Sequence, residues 1–189
     1  IDAYLTPTVH KYVKKLKEFT GDIPLKIMQS IGGLVKASQL RGKNSILSGP
    51  AGGVVGSIET SRQSGREKIV CFDMGGTSTD VAHCLGKIEY RSKTEIEGIA
   101  IVAPMVDIHT VAAGGGSVVN FDGVQLKVGP NSAGSEPGPA CYKRGGPLTI
   151  TDCNLLLGFL NPKYFPKYFG KDNNQSLDQE IVVKEFEKL

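Results

Sequence analysis

An apolar run, Lys68-Ile-Val-Cys-Phe72, leads without a break into Asp73-Met-Gly-Gly-Thr-Ser-Thr-Asp80, and a second extended stretch follows from Thr79 to Leu85. No other feature of the chain narrows its fold as much. Two strands joined by a Gly-Gly turn predict a tight hairpin with an acid at the end of its first arm. Such a turn lets backbone N–H groups and the hydroxyls of Thr77, Ser78 and Thr79 approach phosphate oxygens. The Asp73 carboxylate can then hold Mg²⁺ through water or orient an attacking water. The pattern is neither a P-loop nor a dinucleotide fingerprint, because it lacks Gly-Lys-Ser/Thr and no helix follows directly. The bland alternative is a plain Gly-Gly hairpin with exposed hydroxyls.

The segments around this hairpin read as an α/β chain. Thr6-Pro7 predicts a helix opening, with Val9, Tyr12, Val13, Leu16 and Phe19 at helical spacing and a stop at Gly21. Leu25 to Met28 reads as a strand before a Gly32-Gly33 turn, and Ala51 to Ile58 as a helix rich in glycine. Glycine inside a helix costs roughly 0.5–1 kcal/mol relative to alanine, so a close backbone or ligand is expected beside it. Beyond the motif, the turn at Gly86-Lys87 predicts that Ile88 to Ile96 pairs back onto Thr79 to Leu85. A second hairpin is expected from Val118 to Val128, turning at Asp122-Gly123. Gly129 to Pro147 reads as a long ordered loop, Thr151-Asp152 as the cap of a helix from Leu155 to Leu160, and Ser176 to Leu189 as a last helix. The chain opens at Ile1 without Met and stops inside that helix, so a piece of a longer protein is expected.

With 189 residues and a hydrophobic share of 40%, the chain can bury a core, and its charged share of 22% is ordinary. The net charge of +3 is spread out, apart from Lys11 to Lys17, which reads as the wet face of a helix and not a nucleic-acid patch. No stretch has the length of a membrane span. Cys71, Cys84, Cys141 and Cys153 are irregularly spaced without a Cys-x-x-Cys pair, which suggests reduced thiols in a cytoplasmic protein. Three weaker constellations remain. Gly114-Gly115-Gly116-Ser117 is a candidate second nucleotide loop or a structural turn. Asp107-x-His109, with Cys141, is a candidate metal set, although a hydrogen-bonded Asp107–His109 pair is the plainer reading. Tyr142, Lys143 and Arg144 could meet an anionic ligand or form a solvated loop.

Ile46-Leu-Ser-Gly-Pro50-Ala-Gly-Gly-Val-Val-Gly-Ser57, followed by Ile69-Val-Cys-Phe-Asp73-Met-Gly-Gly-Thr-Ser-Thr-Asp80-Val, resembles the connecting helix and second phosphate hairpin of the actin, hexokinase and heat-shock chaperone ATPase superfamily. Within it, five blocks resemble the hydantoinase A/5-oxoprolinase family, in order. They are Ser48 to Gly53, Phe72 to Val81, Thr110 to Ser117, Gly129-Pro-x-Ser-Ala-Gly-x-x-Pro-Gly-Pro-Ala-Cys-Tyr142 and Thr149-x-Thr-Asp-x-Asn-Leu155. The tail Phe159-Leu-Asn-Pro-x-x-Phe165-Pro-x-x-Phe-Gly170 favours the oxoprolinase branch. Gly49 stands where the chaperones carry an acid, so no carboxylate from that helix can be carried over.

The resemblance implies an incomplete α/β lobe of ribonuclease-H-like, actin-like type, with hairpins and flanking helices. Residues 1–66 would end a first lobe and its connecting helix, and residues 67–189 would begin a second. It implies ATP and Mg²⁺, and ring opening of a cyclic amide such as 5-oxoproline or hydantoin after phosphorylation of the amide oxygen. Asp73 would serve Mg²⁺ or water, Gly75, Gly76, Thr77, Ser78 and Thr79 the phosphates, with Gly114 to Ser117 as a further nucleotide contact and Asp80 orienting the hairpin. The expected partners are an upstream first lobe and a hydantoinase B-type subunit or fused region; neither nucleic acid nor a membrane is expected. Alone, such a fragment would be inactive. The alternatives are an acetone-carboxylase-type subunit that phosphorylates a ketone or bicarbonate, and a non-catalytic actin-like module.

Overall fold

The computed structural model describes residues 1–96 and 98–189 and divides into two compact units. The first comprises residues 1–73 and 80–109, the second residues 74–79 and 110–189.

In the first unit, α1 (Asp2–Thr20) starts four residues before the expected Thr6 opening. Its first turn is already closed at Ile1, whose carbonyl accepts from the Tyr4 and Leu5 N–H groups. Pro7 therefore lies inside the helix, and Thr6 is not its cap. The Thr6 hydroxyl instead donates to Asp2 Oδ1 at 3.1 Å and accepts the Gly42 N–H at 3.0 Å. That contact needs a glycine, since a Cβ on Gly42 would lie 2.5 Å from the Thr6 nitrogen. The helix ends at Gly21, as expected, with φ at 58° and its N–H on the Lys17 carbonyl. Strand β1 (Lys26–Met28) pairs antiparallel with β2 (Leu34–Lys36), a strand the sequence did not announce, around the expected glycine turn. Val13 of α1 packs there with Ala37 and Leu40.

Helix α2 (Ser48–Gln63) sets Ala51, Val54 and Ile58 against Cys71 of β3 (Lys68–Met74) and against Ala82 and Cys84 of β4 (Thr79–Leu85). Although β3 begins as an apolar run, only Cys71 of it is buried: Val70 is 69% and Phe72 66% exposed, because α2 covers one face only. The hairpin expected between β4 and the next strand does not form. β5 (Tyr90–Ile96) pairs with β6 (Ile99–Val106), with Ile96 opposite Ile99, while β4 belongs to a sheet in the order β3-β4-β7, where β7 is His109–Val111. Gly98, with φ at 78°, lies between β5 and β6, while the Gly86 N–H is taken by the Glu67 carbonyl.

In the second unit, β8 (Ser117–Phe121) and β9 (Leu126–Ser132) form the expected hairpin, with Asp122 Oδ1 accepting the Val124 and Gln125 N–H groups in the turn. Helix α3 (Ile150–Leu156) begins and ends before the expected span, and α4 (Gln179–Phe186) is shorter than expected. Their Leu155 and Val182 bury with Val119, Ala140, Cys141, Leu148 and Leu177. Each fully buried aliphatic side chain contributes roughly 1.5–3 kcal/mol.

The cap of α3 is Thr149, two residues before the expected Thr151, and Asp152 completes a capping box from inside the helix. Asp152 also orders the long loop. Fully buried, its carboxylate accepts from the N–H groups of Ala140 at 3.1 Å, Cys141 at 2.8 Å and Thr149 at 2.8 Å, and from the Thr149 hydroxyl at 3.0 Å. Burial first, and the Asp152 charge second, push the Cys141 thiol well above the ordinary thiol range.

Two outcomes follow from this packing. Asp152→Ala strands the buried N–H groups of Cys141 and Thr149, and urea unfolding should show the second unit weakened by about 3–5 kcal/mol; a loss under about 1 kcal/mol contradicts the anchor. At pH 8 the native protein should leave Cys141 unmodified by iodoacetamide, with peptide mass mapping showing the label only after denaturation.

Candidate functional site

In the first unit the residues around the motif gather on one side of β3 and β4. Asp73, exposed at the end of β3, and Asp80, half-buried at the start of β4, line one cavity of about 170 Å³ together with Pro50, Gly53 and Ser57 of α2. None of the residues lining that cavity is a Lys, Arg or His. Among the described residues no group of three or more His, Cys, Asp or Glu side chains is placed to hold a metal. Asp73 and Asp80 would suit Mg²⁺, which is usually held by one or two carboxylates together with substrate phosphates.

The glycines of α2 were expected to face a close neighbour. Gly52 does, with a Cβ there 3.4 Å from Met28 Cγ, while a Cβ on Gly53 would sit 3.7 Å from Asp73 Oδ2, in ordinary contact. Gly49 and Gly56 have nothing within 4 Å, so packing alone does not account for them.

In the second unit the hairpin turn is closed by the Gly75 N–H donating to the Ser78 carbonyl at 2.9 Å. Neither Gly75 nor Gly76 has a left-handed φ. A Cβ on Gly76 would meet no atom within 4 Å, and one on Gly75 only the Ser78 carbonyl at 3.5 Å. Backbone conformation and packing therefore leave glycine unexplained at both positions. What glycine provides is clear space over the turn. Thr77 is exposed and Ser78 half-buried, as a phosphate-facing role asks. Thr79 departs from that expectation: it is buried and its hydroxyl donates to the Ala113 carbonyl at 2.6 Å.

The Gly114 to Ser117 run is likewise committed inside the protein. Gly115 donates its N–H to the Gly75 carbonyl at 2.9 Å, Gly116 to the Gly76 carbonyl at 2.6 Å, and Gly114 to the Ser117 hydroxyl at 2.9 Å. Ser117 is buried. These donors are spent, so the run does not act as a separate phosphate loop. It is the seat of the hairpin turn, and a Cβ on Gly114 would lie 2.7–2.8 Å from the backbone of Gly75, Gly76 and Ser78. Beside the turn, Gly76, Thr77, Gly116, Ser135, Tyr142 and Thr151 line a cavity of about 330 Å³.

The other candidates resolve into structural contacts. Asp107 pairs with Arg91, whose Nε donates to Oδ1 at 2.6 Å, and not with His109, which is exposed. Cys141 is buried beside Asp152. Lys143 pairs with Asp178 at 2.9 Å. Arg144 ties its loop together through the carbonyls of Gly170, Tyr168 and Ser135 and the Glu136 carboxylate, so it is a latch and not a solvated cation. Sequence reasoning missed Thr151, whose N–H and hydroxyl both donate to the Gly115 carbonyl at 2.8 Å. The only signal for it was its place beside Asp152.

Comparison with known proteins covers the whole chain. The family model described as Hydantoinase/oxoprolinase matches residues 1–189. The 5-oxoprolinase of Dictyostelium discoideum is 48% identical over 206 residues, covering 100% of this chain and 16% of that protein. The 5-oxoprolinase of Saccharomyces cerevisiae is 47% identical over 193 residues, with 100% and 15% covered. The caprolactamase subunit alpha of Pseudomonas jessenii is 36% identical over 169 residues, covering 85% of this chain and 24% of that subunit. A nucleotide-free structure of acetone carboxylase superposes with a TM-score of 0.73 at 30% identity, over 95% of this chain and 25% of that one. The chain thus spans about 15% of the length of the 5-oxoprolinases it matches. The structural likeness shows the α/β class expected above, an incomplete lobe of the actin-like ATPase type. A family match along its entire length means that the chain belongs to the hydantoinase/oxoprolinase family.

Proposed function

We propose that this chain is the part of an ATP-dependent cyclic amide hydrolase that carries its second phosphate hairpin. One observation carries the reading: Gly75 and Gly76 are glycines that neither φ nor packing requires, at a turn flanked in sequence by two acids. Clear space over exposed N–H groups is what a phosphate chain needs. Bound ATP with Mg²⁺ would supply the phosphoryl group that makes the amide carbonyl of a lactam electrophilic toward water.

In this reading the N–H groups of Gly76, Thr77 and Ser78 and the hydroxyls of Thr77 and Ser78 hold phosphate oxygens. Asp73 anchors Mg²⁺ through water, and Asp80 adds a second carboxylate to the same cavity. The contribution is positioning and charge stabilisation, which supply most of the barrier lowering in phosphoryl transfer. Residues 1–66 close a first lobe with its connecting helix and residues 67–189 begin the second. The first lobe of the same protein brings the opposing hairpin, and a B-type subunit or fused region completes the amide site. The segment by itself is inactive. No helix among the described residues is long and apolar enough to cross a membrane, and four free thiols fit a cytoplasmic setting.

5-Oxoproline is the favoured substrate, because the 5-oxoprolinases match the full chain at higher identity than the caprolactamase subunit does. The likeness to acetone carboxylase supports a second reading, in which the same phosphoryl chemistry is spent on a ketone.

ATP cleavage by the full-length protein separates the two. 5-Oxoproline or hydantoin should stimulate it and acetone should not, and Asp73→Asn should lower kcat roughly 100-fold or more. Gly76→Val should fold normally but raise the KM for ATP by about tenfold, since its side chain enters the space over the turn. Stimulation by acetone alone selects the second reading, and wild-type kinetics in both variants removes this hairpin from the catalytic assignment.

A further inference from the structure

Thr151 has no part in the reading above, yet its contacts lead straight to the hairpin. Its N–H and its hydroxyl both donate to the Gly115 carbonyl at 2.8 Å. Gly115, so held, donates its own N–H to the Gly75 carbonyl at 2.9 Å, and Gly116 follows with a 2.6 Å bond to the Gly76 carbonyl. Two successive carbonyls of the turn are thereby drawn onto the glycine run. Within a peptide unit the N–H points opposite to the C=O, so fixing the Gly75 and Gly76 carbonyls on the seat aims the Gly76 and Thr77 N–H groups away from it. The ends of the relay are rigid. Thr151 follows Thr149 and Ile150 at the start of α3, where the fully buried Asp152 clamps Thr149 and the loop at Ala140 and Cys141.

We infer that Thr151 is a positioning residue for the phosphate hairpin, acting through the Gly115 carbonyl to hold the turn's N–H groups outward for an anionic phosphate chain. This rests on the nucleotide reading of the hairpin. Gly114 and Gly116 are required by the same contact. A Cβ on Gly114 would strike the Gly75 carbonyl oxygen at 2.7 Å and the Ser78 nitrogen at 2.8 Å; a Cβ on Gly116 would lie 2.9 Å from the Gly76 oxygen. A Cβ on Gly115 would strike only the Thr151 hydroxyl, at 2.8 Å, with Gly75 in ordinary contact at 3.6 Å. Gly115 is also absent from the lining of the neighbouring cavity, whereas Thr151 is part of it. An effect at Gly115 therefore travels through the hairpin and not through direct contact with a ligand in that cavity.

The test uses the full-length protein, with ATP affinity measured by calorimetry, thermal melting as the fold control, and amide hydrogen exchange over residues 74–79. Thr151→Val, which removes the hydroxyl and keeps the shape, should weaken ATP binding about five- to tenfold and speed exchange at Gly76, Thr77 and Ser78, with melting nearly unchanged. Thr151→Ser should recover both readouts. Gly115→Ala should weaken binding to a similar degree, and Gly115→Ala combined with Thr151→Ala should be no weaker than Thr151→Ala alone, because the two act through one contact. Gly114→Ala should be the most damaging of the series. Unchanged ATP affinity and unchanged exchange in both Thr151→Val and Gly115→Ala overturn the positioning role and leave the nucleotide reading standing. A wild-type protein that binds no ATP overturns the nucleotide reading itself, whatever the variants do.

Discussion

Two backbone hydrogen bonds, from Gly115 to the Gly75 carbonyl and from Gly116 to the Gly76 carbonyl, are the constraint on which the second unit is organised. Carbonyls that would otherwise point to water are fixed on a surface too close for a side chain at Gly114 or Gly116. Everything behind that surface serves to hold it. Thr151 grips Gly115, α3 carries Thr151, and Asp152 pins the start of α3 to the loop at Ala140 and Cys141. A buried carboxylate is costly to desolvate, and Asp152 is tolerable only because four donors converge on it.

The first unit solves a different problem. Its acids, Asp73 and Asp80, face a cavity walled by α2, where Gly53 leaves room that a larger residue would take. Asp107 is neutralised by Arg91. No basic side chain lines the cavity that Asp73 and Asp80 face.

Much of this could be seen in the sequence, because local chemistry decided it. The stop of α1 at Gly21, the Asp122-Gly123 turn and the strand running into Asp73 each depend on residues adjacent in the chain. Misplaced elements share a different cause. The α1 start moved because the Thr6 hydroxyl was needed by Gly42, thirty-six residues away. β4 was assigned the wrong partner because a glycine turn in the sequence does not say which strands pair across it. The Gly114 run looked like a ligand loop because composition shows that donors are accessible but not which acceptors reach them first. Arg144 and Thr151 were opaque for the same reason: their partners are carbonyls, which leave no trace in the sequence.

The uncovered face of β3 has a consequence of a practical kind. Val70 and Phe72 stand mostly in water on the outermost strand of the β3-β4-β7 sheet, so that strand offers a row of apolar side chains beside unpaired backbone groups. An open, apolar sheet border recruits other copies of itself. Preparations limited to these residues would accordingly be governed by colloidal behaviour: concentration and shelf time would determine how much monomer survives, and a lysine at position 72 would extend its lifetime in solution without touching the core on the opposite face.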